Sequence, residues 1–301
     1  MELKKYLQNS TSNSQLCSVL LASCEAITLI SKSFSTNNLD EKVGAENFTG
    51  DQQIGIDILA DEILTKEFSE NSAVYGVGSE EKETLEIINP DANYCVVFDP
   101  LDGSSLVDVN FSVGTIIGVI KGKKIEGITG DDLDAAIYAV YGPRTQIVIG
   151  FDDQLIVATL KDNEFHISAT NLKIKADTKY FAPGNLQANQ TNQGYNNLIT
   201  YWLKNQYKLR YSGGMVPDIH HILIKGEGIF CYPGNDKQSD GKLRLLYECL
   251  PMAKIITIAG GKATNGDQDI LRIPVTSIHQ QSSICLGSEL EVKRYQEFLS
   301  S

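Results

Sequence analysis

From Ser14 to Phe34 the apolar residues Leu16, Val19, Leu20, Ile27 and Ile30 recur at the spacing of one helix face, and stretches rich in Ser and Asn bound the run on both sides. The pattern predicts a helix there and a second over 51–68. Short apolar runs at 94–99, 113–120, 145–151, 154–160 and 164–168 suit strands, with turns at Asp152-Asp153 and Lys161-Asp162-Asn163. That middle section reads as largely a meander. After about residue 176 strand and helix alternate, with helices expected near 194–205, 215–225 and 242–258 and a short strand at 228–232. At 301 residues one core tends to divide. The expectation is a mixed α/β chain of two lobes, 1–175 and 176–301, with its chemistry between them.

Composition narrows the function. A net charge of −12 repels nucleic acid and anionic membranes, so neither is an expected partner and any phosphorylated substrate must rely on local cations. The start, Met1-Glu2-Leu3-Lys4-Lys5-Tyr6, lacks the apolar core of a signal peptide, and no apolar run reads as long enough to span a bilayer, which makes the cytoplasm the expected location. The six cysteines form no Cys-x-x-Cys pair and mostly lie in apolar runs, as reduced buried thiols do. His166, His220, His221 and His279 lack a zinc-ligand spacing. There is no Gly-x-Ser-x-Gly elbow, Walker loop or dinucleotide fingerprint, so serine hydrolase, nucleotide kinase and dehydrogenase readings have no support.

The most informative stretch is Phe98-Asp99-Pro100-Leu101-Asp102-Gly103-Ser104-Ser105. The apolar run before it suits a strand buried on both faces, so Asp99 emerges at a strand end, with Pro100 ending the strand. A turn that returns Asp102 to the same side would make a carboxylate pair for a hard cation. The amides of 103–105 would cradle phosphate oxygens beside it.

Other acids and cations admit two readings each. Asp51 suits an N-cap, and Asp57, sharing a helix face with Ile54 and Leu64, suits either a salt bridge or a functional acid. Glu80-Glu81 after a small-residue strand end reads as a solvated loop or a ligand pair. Glu248 shares a face with Leu245 and Met252 and so points inward, or else pairs with Arg244 along its helix. Lys242 and Arg244 open that helix, where cations oppose the macrodipole, which makes better sense if they face an anion. The run Arg210-Tyr211-Ser212-Gly213-Gly214-Met215 is a flexible entry to another helix or a ligand loop.

Taken in order, Thr49-Gly50-Asp51-Gln52, Ser79-Glu80-Glu81, the 99–105 motif and Lys242-Leu243-Arg244-Leu245-Leu246-Tyr247-Glu248 resemble the fructose-1,6-bisphosphatase family over almost the whole chain. Finer motifs resemble its sedoheptulose-1,7-bisphosphatase branch: Gly127-Ile128-Thr129-Gly130-Asp131, Tyr141-Gly142-Pro143-Arg144-Thr145, Ala182-Pro183-Gly184-Asn185-Leu186 and the run from Leu209 to Asp218. The resemblance implies a layered α-β-α-β-α sugar-phosphatase fold and hydrolysis of a sugar 1-phosphate by direct in-line attack of water. It implies two or three Mg2+ ions, replaceable by Mn2+, held by Glu80, Asp99, the Leu101 carbonyl, Asp102 and Glu248, with Asp51 at the edge. Asp57 and Glu81 would deprotonate or orient the water. Gly103, Ser104, Ser105 and Arg244 would hold the transferred phosphate and Lys242 the nearby sugar. Asn185, Arg210, Tyr211 and Tyr232 would hold the distal phosphate, aided by the Gly213-Gly214-Met215 loop, with Arg210 reaching across a homodimer.

Departures refine this picture. Asn185 is followed by Leu186, Gln187 and Ala188 where fructose-bisphosphatases usually place a tyrosine three residues on, which favours a longer sugar. Asn93 and Lys121 stand where that family's AMP site carries a Lys and an Arg, and 39–47 lacks the paired cysteines of the light-regulated plastid enzyme. The near alternative is a fructose-1,6-bisphosphatase or an enzyme acting on both sugars. A silent sugar-phosphate sensor is opposed by the presence of every candidate acid.

Overall fold

The computed structural model describes residues 1–36, 42–46 and 52–300. Helices α1 (Leu3–Ser10), α2 (Ser14–Thr36) and α3 (Gly55–Ser69) form an outer layer, and a two-stranded ribbon of β1 (Lys42–Glu46) and β2 (Gln52–Ile54) precedes α3. The first sheet is built from β3 (Val74–Ser79), β4 (Glu86–Ile87), β5 (Tyr94–Asp102), β6 (Val113–Lys121), β7 (Leu133–Tyr141), β8 (Gln146–Phe151), β9 (Gln154–Lys161) and β10 (Glu164–Thr170). Its order is β10-β9-β8-β7-β6-β5-β3-β4, so from β5 to β10 it is a meander and only β3 and β5 pair in parallel.

The second sheet has the order β12-β11-β13-β15-β14, from β11 (Tyr180–Pro183), β12 (Lys208–Leu209), β13 (Ile229–Tyr232), β14 (Lys262–Thr264) and β15 (Ile284–Gly287). Between the sheets lie α5 (Met215–Lys225) and α6 (Leu250–Ile258); α4 (Gln193–Lys204) and α7 (Glu289–Leu299) cover the far face. Three apolar cores fill the gaps. One joins α1–α3 to the first sheet, a second joins both sheets through α5 and α6, and a third packs α4 and α7 on the second sheet. The layering is α-β-α-β-α, as the resemblance implied. Strand β5 is buried at all nine positions because helices cover both of its faces.

Several expectations need correction. The strand expected to stop at Pro100 runs on to Asp102; its register against β6 shifts between Asp99 and Asp102, a bulge that accommodates the proline. The second helix begins at Gly55, with residues 52–54 paired to β1 instead. The helix expected over 242–258 begins only at Leu245, as a wide π turn (Leu245–Cys249) continued by α6; Arg244 is extended and caps it. Strand β7 had no counterpart in the apolar pattern. Helix α2 does contain a segment, Ser14–Phe34, long and apolar enough by length and composition to cross a membrane, contrary to the sequence reading. Its stripe of Leu16, Val19, Leu20, Ile27 and Ile30 is buried in the first core, the place of a core helix.

Two contacts fix the site's framework. A Cβ on Gly114 of β6 would lie 2.4 Å from Cβ of Val216, so the first turn of α5 rests on the sheet only because position 114 has no side chain. Further along α5, His220 bridges Tyr138 on β7 (3.0 Å) and Gln146 on β8 (3.1 Å), and Gln146 donates to Thr159 on β9 (2.9 Å). Burial lowers the His220 pKa to about 4, so this chain is held by a neutral imidazole.

Candidate active site

At the end of β5, Asp99 and Asp102 are both buried. Asp99 Oδ1 accepts the Leu101 amide (3.0 Å), which folds the bulge back on itself. Asp102 reaches the start of α5, where its oxygens accept the Met215 (3.3 Å) and Val216 (2.6 Å) amides, orphan donors at a positive helix end. Glu248 enters from the π turn, in which the Arg244 carbonyl accepts both the Glu248 (3.1 Å) and Cys249 (3.0 Å) amides. The Glu248 carboxylate closes the loop by accepting the Arg244 amide.

These elements bring one carboxylate oxygen each from Asp99, Asp102 and Glu248 to within 4.8 Å of one another. Burial, then the neighbouring acids, push Asp99 and Glu248 well above the usual carboxylate range. Burial raises Asp102 to about 6 against the pull of its two amides, and Glu80 to about 7 against the pull of Arg244. Buried like charges with oxygen-only donors fit a divalent metal ion, which supplies the missing positive charge.

A cavity of about 460 Å3 opens over this cluster. Asp57, from the first turn of α3, and Glu80 and Glu81, after β3, line one side. The Glu80 amide donates to the Phe98 carbonyl (3.0 Å), tying that loop to β5. Leu101, Gly103, Ser104 and Ser105 line the floor. Gly103 adopts φ 78° and starts a short 3-10 turn (Ser104–Leu106), which leaves the amides at its start without intrahelical acceptors. Lys242 and Arg244 line the wall beside Glu248. Arg244 is buried with its Nε 3.6 Å from Glu80, an ion pair too long for a hydrogen bond. Tyr211, Gly213, Met215 and Tyr232 line the far end.

Three expected residues stand outside this lining. Gly214 sits behind it, close enough that a Cβ on Gly103 would lie 3.4 Å from its Cα. Asn185, at φ 46°, donates to the Pro233 carbonyl (2.7 Å). Arg210 is exposed, donates to the Leu209 carbonyl (2.7 Å) and lies 5.6 Å from the Tyr180 ring centre. Asp51 lies outside the described residues. Asp108, Phe230 and Leu243 line the cavity without having been singled out by sequence. Asp108 carried no signal beyond being an acid near the 98–105 motif, Phe230 is an apolar residue in an apolar run, and Leu243 stands between the two cations of the 242–248 motif.

The raised carboxyls make a measurable prediction for the metal-free protein. A carboxyl whose folded pKa exceeds its unfolded value contributes stability that is full below the ordinary values of 3.8 and 4.5 and is lost as pH rises through about 6 to 7. Binding of a divalent cation should therefore expel protons at pH 6.5 and raise the melting temperature more at pH 8 than at pH 6. With Mg2+ as probe, titration calorimetry in buffers of different ionisation enthalpy should show release of about one proton or more. Binding without proton release would place the ion elsewhere.

Residues 1–166 match the model of the fructose-1-6-bisphosphatase N-terminal domain and residues 174–300 that of its C-terminal domain. The chain is 36% identical to the fructose-1,6-bisphosphatase class 1 of Geotalea uraniireducens, over 99% of this chain and 96% of that one. It is 35% identical to the chloroplastic sedoheptulose-1,7-bisphosphatase of Triticum aestivum, over 99% of this chain and 76% of the wheat protein. Its fold is similar to that of the Leishmania major fructose-1,6-bisphosphatase in holo form, with a TM-score of 0.95 at 31% identity, covering 100% of this chain and 99% of that one.

Proposed function

The chain belongs to the fructose-1,6-bisphosphatase family and is a sugar bisphosphatase; within that class, we propose that it removes the 1-phosphate of sedoheptulose 1,7-bisphosphate with Mg2+, releasing sedoheptulose 7-phosphate and phosphate in the cytoplasm. The observation that carries phosphoester hydrolysis is the meeting of three buried acids, the 103–105 turn and Arg244 in one cavity. Asp99, Asp102, Glu248, Glu80 and the Leu101 carbonyl would hold the ions, with Asp51 beside them. Bound there, Mg2+ supplies a lowered pKa for water and positive charge for the phosphoryl and leaving oxygens.

The protein's own groups supply the rest. Asp57 and Glu81 orient the water and one of them takes its proton as the water oxygen bonds to phosphorus opposite the ester oxygen; the P–O bond to the sugar breaks in line, and the departing sugar oxygen takes up a proton from solvent. The Ser104 and Ser105 amides and the Arg244 guanidinium hold the phosphoryl oxygens as their charge redistributes. Lys242 faces the adjacent sugar, and Tyr211, Tyr232 and Asn185 serve the distal phosphate. All of the metal-binding part of this machinery except Glu248 is assigned to a lobe spanning 1–175, and most of the sugar-phosphate part to 176–301.

Preference for the seven-carbon sugar rests on the branch motifs and the missing tyrosine. Ala188, at that position, is buried among Tyr195 and Trp202 in the third core and adds no bulk to the cavity wall. Fructose 1,6-bisphosphate is the second reading, favoured by the several fructose-1,6-bisphosphatases among its relatives and by an identical phosphoryl end. Steady-state kinetics on both substrates should give the higher kcat/KM for the seven-carbon bisphosphate. A higher value for the six-carbon sugar removes the specificity assignment and leaves the reaction class intact.

The same reading makes the protein a homodimer in which Arg210, which is not among the residues lining its own cavity, serves the partner's distal phosphate. Mixing Arg210→Ala with Asp99→Asn under subunit exchange should restore about a quarter of the wild-type sites, since about half the dimers are mixed and one of their two sites regains both groups. No recovery despite demonstrated exchange would confine Arg210 to its own chain.

A further inference from the structure

Asp218, in the first turn of α5, is 4% exposed, so its carboxylate has been taken almost wholly out of water. Oδ1 accepts the Ser212 amide (2.8 Å), while Oδ2 is buried without a hydrogen-bond partner. A carboxylate so placed is costly unless its hydrogen bond to Ser212 matters. That bond spans the turn into α5. On one side of Ser212 lies Tyr211, whose ring lines the cavity; on the other lies Gly213, which also lines it at φ 103°. The Ser212 hydroxyl and the Gly214 amide, 3.3 Å apart, close the turn. One turn of α5 therefore grips both ends of the cavity: its Met215 and Val216 amides hold Asp102, and Asp218 holds the loop that carries Tyr211.

We propose that Asp218 is a positioning residue that sets the distance between the phosphoryl end and the distal end of the site, by fixing the Tyr211–Gly213 loop to the same helix turn that holds Asp102. It does not touch the substrate. It acts through Ser212, and what it supplies is a hydrogen-bond acceptor at a fixed place. The inference rests on the sugar-bisphosphatase reading and on the far end of the cavity taking the distal phosphate.

The test compares Asp218→Asn, which keeps an acceptor oxygen, with Asp218→Leu, which keeps the branching at Cγ and removes it. In the unliganded protein, amide hydrogen exchange across 209–215 should quicken about tenfold in the leucine variant and stay near the parent's rate in the asparagine variant. The KM for the bisphosphate should rise about tenfold in the leucine variant with kcat changed less than about threefold, and asparagine should restore most of the binding. If leucine prevents folding, Asp218→Ala carries the same comparison. Unchanged exchange and KM in the variant without an acceptor, a fall in kcat alone, or an asparagine variant as impaired as the leucine one would overturn the proposal. A parent enzyme inactive on both bisphosphates would instead sink the functional reading, and the exchange arm would still judge the restraint on the loop.

Discussion

Asp99→Asn should reduce kcat by about a thousandfold or more while leaving a folded protein. Asparagine is nearly isosteric and can still accept the Leu101 amide that Asp99 Oδ1 accepts, so the bulge at the end of β5 retains its geometry. What disappears is one of three negative charges whose oxygens lie within 4.8 Å of one another. In the metal-free protein that loss is a relief, because Asp99 is forced well above its usual range by burial and by Glu80, Glu248 and Asp102. The metal-free variant should accordingly melt a few degrees higher than the metal-free parent at pH 8. The two signs together identify a ligand, since a merely structural acid would lower both activity and melting temperature. Turnover within about tenfold of the parent would remove Asp99 from the reaction.

Arg244→Lys should lower kcat by about 100-fold to 1000-fold with little change in metal affinity. Lysine keeps a positive charge beside Glu80, so that acid is not left facing its neighbours alone. It removes the planar fork. The Arg244 guanidinium is buried, stands 3.6 Å from Glu80 and spends one Nη1 donor on the Lys242 carbonyl (3.2 Å), which leaves donors for phosphoryl oxygens in the cavity. Metal titration and single-turnover kinetics separate the effects. Equal losses in metal affinity and turnover would make Arg244 a support for the acidic cluster instead of a phosphate group.

Much of this site is legible in the chain because its centre is local. Asp99, Asp102 and the turn at 103–105 are adjacent in sequence, and the buried run before them predicts where they emerge. Glu248 is legible as an inward position because Leu245 and Met252 share its side, and both are buried. The π turn around it is not legible: it depends on the Glu248 carboxylate bonding the Arg244 amide, a choice the apolar spacing does not record. Strand β7 is not legible because Asp134 and three alanines thin its apolar signal, while its neighbours β6 and β8 supply the burial. The grip of α5 on Asp102 is tertiary, and so is the placement of Arg210 outside the cavity lining. Asp218 could be quoted in a motif, but its task depends on which amide folds back onto it.

The π turn that delivers Glu248 also sets when the site can come into being. Asp99 and Asp102 leave the ribosome with the first sheet, but the amides that hold Asp102 come from 215 and 216 and the third carboxylate from 248. Closing such a long loop has an entropic cost that is recovered only after the intervening helix and strands have packed. A nascent chain that has completed the eight-stranded sheet thus carries two of the three clustered acids and no cage. Chelation by this triad belongs to the last stage of synthesis, and a truncated product ending before Glu248 cannot sequester a cation with all three carboxylates, however well its first sheet has folded.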